Sequence, residues 1–157
     1  MRRLGALAAF PILVQVSPAG SARTATKWDI VRTFAGIRCT WHQAGDPGQV
    51  VCFRSDRKGY AGAVAPGFVS VFIVAPEHLV FYRNQPLRSH GYGPLTDKRV
   101  FHSESHRGLR CSWSRLSGGV AICNRTDRHG YVLAVARELV SVANERSQAV
   151  FVRNQPS

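Results

Sequence analysis

Eight arginines of this chain stand in four matched pairs: Arg38 with Arg110, Arg54 with Arg125, Arg57 with Arg128, and Arg83 with Arg153. A guanidinium is a rigid planar fork of N–H donors that grips carboxylate, phosphate or sulfate oxygens two at a time. An arginine set mounted twice therefore reads as anion recognition. Two equivalent basic patches would hold one extended polyanion with avidity, and that binding would weaken as salt rises. The competing reading is a solvated basic face, copied along with the rest of a duplicated unit. Aromatic residues are duplicated as well, Trp41 with Trp113 and Tyr60 with Tyr131. Each tryptophan follows a cysteine by two residues, which on a strand is the same face. It either packs over a cysteine bridge or offers a stacking platform for a sugar or base.

Enzymatic signatures are sparse. The sequence holds no Gly-x-Ser-x-Gly, no glycine-rich phosphate loop and no His-Glu-x-x-His. Its six histidines are His42, His78, His90, His102, His106 and His129. Only His129 falls in a duplicated stretch, where its counterpart is Lys58, an exchange that a general base would not tolerate. His102 and His106 are four apart, a metal-ligand spacing on a helix, but here a strand and an adjoining loop are expected. Asp56 and Asp127 read as turn formers. No metal and no cofactor is implied. A small secreted nuclease or cell-wall hydrolase would have to gather histidines from distant parts of the chain.

The elements that carry these residues follow from an internal repeat. Gly36–Trp41, Val50–Val71 and Val80–Pro86 match Gly108–Trp113, Ala121–Val142 and Val150–Pro156 at 22 of 35 positions. The four cysteines fall two per copy. Their even count and repeated spacing predict disulfides in an oxidising compartment. A copied unit carries its own bridge, which favours Cys39–Cys52 and Cys111–Cys123 over crossed pairings. The cysteines lack the tight pair spacing of a zinc site.

Within each copy, alternation and composition predict short strands. Ile37, Cys39 and Trp41 alternate with Arg38 and Thr40. Asp56–Gly59 and Asp127–Gly130 read as type I turns with Asp first and Gly fourth. In Tyr60–Ala65 the alanines share one face, which should pack closely on something. Leu133–Val150 alone could be a helix, but its partner stretch contains Pro66-Gly67 and Pro76, which would break one. Two copies of one unit share one fold, so Leu139–Val142 is expected as a strand. The expectation is all-β: two internally repeated antiparallel β units forming a small sandwich or barrel-like body with pseudo-twofold symmetry and one disulfide each.

The predicted organisation is a signal peptide at 1–22, a lead-in at 23–35, repeat 1 at 36–86, a linker at 87–100 and repeat 2 at 101–156, with the repeats packed as one domain. Arg2-Arg3, the apolar run Leu4–Val16 and Gly20-Ser21-Ala22 have the order of a secretory leader. The formal charge is +12, and cleavage after Ala22 would leave +10.

The second copy also carries a resemblance. Phe101-x-Ser103-x-Ser105-x-x-x-Gly108-x-x-Cys111, then His129-Gly130-Tyr131-x-Leu133 beyond Cys123, with Tyr92-Gly93 upstream, resembles the C-terminal half of a family of small secreted bacterial proteins of unknown function. There the run reads Phe-x-Cys-x-Ser-x-x-x-Gly-x-x-Cys followed by Gly-His-Gly-Phe. Ser103 stands where that family has its first cysteine. The resemblance implies export and a small disulfide-linked β fold, and it transfers no catalytic residue.

These readings converge on a secreted, periplasmic or cell-surface bacterial β protein without enzymatic activity. Its expected partner is a polyanion, such as an envelope polymer, an acidic polysaccharide or nucleic acid, bound through the eight duplicated arginines. The alternatives are an exported protein-interaction or structural module, and the hydrolase considered above.

Overall fold

A computed structural model describes residues 29–42, 48–86, 99–115 and 118–157. The expected signal peptide, most of the linker and the start of the lead-in lie outside the described residues. The described residues are all-β, with twelve strands. Repeat 1 with its lead-in gives β1 Ile30–Phe34, β2 Ile37–His42, β3 Gln49–Arg54, β4 Tyr60–Val64, β5 Phe68–Ile73 and β6 His78–Asn84. Repeat 2 gives β7 Val100–His106, β8 Leu109–Ser114, β9 Val120–Arg125, β10 Val132–Ala136, β11 Leu139–Ala143 and β12 Ala149–Asn154. Each set is an antiparallel meander in sequence order, and the two six-stranded sheets stack face to face through β3–β4 and β9–β10. The arrangement is a sandwich rather than a barrel. The helical alternative for Leu133–Val150 is replaced by β10, β11 and β12, as the repeat requires.

The predicted disulfides form. Cys39 faces Cys52 and Cys111 faces Cys123, directly opposite on adjacent strands, with Cα atoms 4.1 Å apart in both pairs. Around them pack Ile37, Trp41, Val50, Val69, Val71, Leu109, Trp113, Leu133, Val135, Val140 and Val142, all buried. The alanine face of β4 turns to the outside of the sandwich, yet Ala61 is buried; Phe53 and Phe72 flank it in register on β3 and β5.

The sheets are related by a twofold axis that runs between them, across the strands. Residues on this axis meet their own counterparts. Trp41 and Trp113 rings lie 5.8 Å apart, Phe81 and Phe151 rings 4.8 Å apart, and Cys52 and Cys123 Sγ 3.2 Å apart. The tryptophan and phenylalanine pairs fit across the axis, but at two other points along it the copies diverge. A Cβ on Gly62 would sit 2.3 Å from Cδ1 of its counterpart Leu133. Arg32, whose counterpart is Glu104, forms a fork with it: Nε to Oε2 at 2.6 Å and Nη2 to Oε1 at 2.9 Å.

Two turns correct the sequence reading. The β3–β4 turn closes two residues earlier than expected, by the Arg57 N–H donating to the Arg54 carbonyl, and Arg128 to Arg125 repeats it. Asp56 and Asp127 accept from the amides two residues ahead, Lys58 and His129, as their turn role requires. Arg57 and Arg128 take positive φ, at 60° and 61°, in addition to the glycines that end the turns, Gly59 and Gly130.

Candidate functional site

The duplicated turn has a second partner that the sequence does not show. The Arg-Asn-Gln-Pro tail of each repeat crosses to the other repeat and docks on its turn. Gln155 Oε1 accepts from the Tyr60 N–H at 2.8 Å, and Gln85 Oε1 accepts from the Tyr131 N–H at 2.8 Å. Both glutamines are buried. Gly59 and Gly130 are glycines for two reasons: φ is 81° and 87°, and a Cβ would lie 2.2 and 2.0 Å from those same glutamine oxygens. Arg54 completes one clasp by donating from Nη1 to the Pro156 carbonyl at 2.5 Å and from Nη2 to Asp56. Arg125 does the same with Pro86 and Asp127.

This sorts the eight arginines. Arg54 and Arg125 are half-buried parts of the clasps. Arg57 and Arg128 are exposed on the same turns, each beside the tail of the opposite repeat. Arg83 and Arg153 are exposed on those tails, their guanidinium groups 5.9 and 5.7 Å from the ring centres of Phe81 and Phe151. Arg57-Lys58 of repeat 1 thus shares a junction with the tail that carries Arg153. Arg128-His129 shares one with the tail that carries Arg83. Arg38 and Arg110 lie elsewhere, on strands β2 and β8, facing away from the core on opposite sheets. The carboxylates of the turn titrate low. A backbone hydrogen bond from Lys58 holds the Asp56 carboxyl below the usual range, helped by Arg54. Burial alone would raise the Asp127 carboxyl, but the His129 amide and Arg125 outweigh it.

The aromatic platform is corrected. Trp41 and Trp113 are 2% and 0% exposed and lie in the core, so neither offers a ring to a ligand. Tyr60 and Tyr131 are half-buried against the same core and give their amides to the clasps.

The histidines hold a further surprise. Instead of the strand and adjoining loop expected around His102 and His106, one strand runs through both, and its exposure alternates, so His102, Glu104 and His106 share the inward face of β7. Their side chains converge at the β1–β7 edge. His106 Nε2 is 2.6 Å from Glu104 Oε1, His102 Nε2 is 3.5 Å from Oε2, and Arg32 takes both oxygens. Burial pushes the Glu104 carboxyl up, but hydrogen bonds from His106, Arg32 and His102 more than offset it and the net shift is downward. His42, paired with Asp29 at 3.1 Å, and His106 border one shallow surface dimple with Trp41, Gly48, Gln49, Arg107 and Leu109. The histidines aim at the carboxylate rather than at a common metal position. The signal for this cluster was present as the alternation His-Ser-Glu-Ser-His, which lacks the β-branched residues that mark a strand. Among the described residues, the group of candidate ligands that does converge is Cys39, Cys52, Cys111 and Cys123, with all four Sγ within 4.8 Å of one another.

No protein-family model matches the chain, and no curated protein or solved structure does.

Proposed function

We propose that this chain is an exported, non-enzymatic β-sandwich that binds an anionic polymer at two equivalent turn–tail junctions, one bearing Arg57, Lys58 and Arg153 and the other Arg128, His129 and Arg83. The observation that carries this reading is the division of labour among the arginines. Asp56 and Asp127 are neutralised within the clasps by Arg54 and Arg125, which leaves the adjacent, exposed Arg57 and Arg128 without an ion-pair partner among the described residues. The two disulfides fit an oxidising environment, and the basic, leader-like N-terminus and the resemblance to secreted proteins support export. The twofold relation puts the two junctions on one rigid body, so a long polyanion can engage both.

The test is retention on a sulfated or phosphorylated polymer resin under a salt gradient. Arg57→Gln with Arg128→Gln should elute at clearly lower salt than the parent, with unchanged thermal stability. Each single substitution should fall between. Retention of the double variant equal to the parent would sink the reading and would favour a protein-interaction or structural module. A hydrolytic reading is favoured by one observation only, that His42 and His106 border the same surface dimple. It requires that His106→Ala abolish cleavage of RNA or cell-wall glycan by the pure protein.

A further inference from the structure

The two disulfides meet at the centre of the molecule. Cys39 and Cys52 reach inward from β2 and β3 of one sheet, and Cys111 and Cys123 from β8 and β9 of the other. Cys52 Sγ and Cys123 Sγ touch at 3.2 Å across the twofold axis. All four sulfurs are fully buried and lie within 4.8 Å of one another. A tetrahedral zinc tetrathiolate has Zn–S bonds of about 2.3 Å, which sets its sulfur–sulfur separations at about 3.8 Å. That value falls inside the spread the fold already imposes between the two pairs. The ligands also come from opposite sides, two from each sheet, as a tetrahedron requires.

We propose that the reduced protein binds one thiophilic divalent cation, zinc or a metal of similar preference, through Cys39, Cys52, Cys111 and Cys123. A dithiol or phosphine reductant supplies four electrons, and four protons are taken up as the two S–S bonds become four thiols. The cation then takes four thiolates and releases those four protons. The same four residues staple adjacent strands within each sheet when oxidised and join the two sheets by coordination when reduced. The cation would crosslink the two sheets, which the two disulfides do not. This inference is independent of the anion-binding reading.

The experiment uses the full chain, reduced anaerobically with a phosphine and titrated with Co²⁺. The expected result is saturation at one cobalt per chain, with the thiolate-to-cobalt charge-transfer band and the visible bands of a tetrahedral tetrathiolate site, displaced by Zn²⁺. Zinc should raise the melting temperature of the reduced protein and leave that of the oxidised protein unchanged. Cys39→Ser with Cys52→Ser keeps only the second pair and should lose the tetrathiolate spectrum. Far-ultraviolet circular dichroism reports whether each form is folded. A reduced chain that unfolds should refold on adding zinc. Failure to refold, saturation at two cobalt ions per chain, no charge-transfer band, or a tetrathiolate spectrum that survives in the double variant would each overturn the proposal.

Discussion

The twofold axis makes a quantitative prediction at Gly62 and Leu133, which are counterparts in the repeat and touch across it. Leu133 is fully buried. Leu133→Gly removes a core side chain and leaves a void; truncation of a buried leucine to alanine costs about 2.7–5 kcal/mol, and a glycine in a strand adds about 0.5–1 kcal/mol. Gly62→Leu fails for the opposite reason. Its Cβ alone would lie 2.3 Å from Leu133 Cδ1 and 2.9 Å from Cγ, in a packed core that cannot yield, so the loss should sit at or above the upper end of the roughly 1–3 kcal/mol typical of overpacking. If the two act independently, the double variant should lose about 6–9 kcal/mol and not fold. Because the axis relates the two sites, exchanging the two residues restores one leucine facing one glycine in nearly the same space. Gly62→Leu with Leu133→Gly should then lie within about 1–2 kcal/mol of the parent. Urea unfolding with the disulfides intact measures all four corners of the cycle, with an unchanged slope as the check on comparison. A double variant as unstable as the sum of its singles would refute the axis.

Two further outcomes follow from the clasps and the edge cluster. Gly130→Ala should destabilise by more than the roughly 1–2 kcal/mol of a left-handed backbone, because the new Cβ also meets Gln85 Oε1 at 2.0 Å; Gln85→Gly in the same chain should recover part of the loss in urea unfolding. Glu104 titrates below its ordinary value of 4.5 in the folded protein, so its contribution is complete above that value and is lost as pH falls through the lower folded value. The acid-unfolding profile of Glu104→Gln should therefore be flatter than the parent's below about pH 4.5, and identical slopes would refute the assigned role.

Much of the fold could be read from the chain. The duplicated cysteines named both bridges because a disulfide between adjacent strands is a local object, contained within one copy. The repeat also decided Leu133–Val150, where composition favoured a helix and the prolines of the first copy excluded it. The site was harder to read. His102, Glu104 and His106 escaped because their strand has almost no apolar or β-branched residues, and it forms through pairing with β8. The eight arginines looked equivalent, and only contacts between repeats separate Arg54 and Arg125 from Arg57 and Arg128.

The sequence alone determined most of the strands, the disulfide pairs and the existence of two equivalent units, because alternation, turn chemistry and copied spacing act over a few residues. Tertiary structure decided how the units meet. Packing placed the tryptophans in the core rather than on the surface, crossed each Gln-Pro tail to the opposite turn, and brought four sulfurs to one point. Those relations join residues about 40 to 100 positions apart. They are fixed by the fit of two apolar sheet faces about an axis, which no local pattern in either copy encodes.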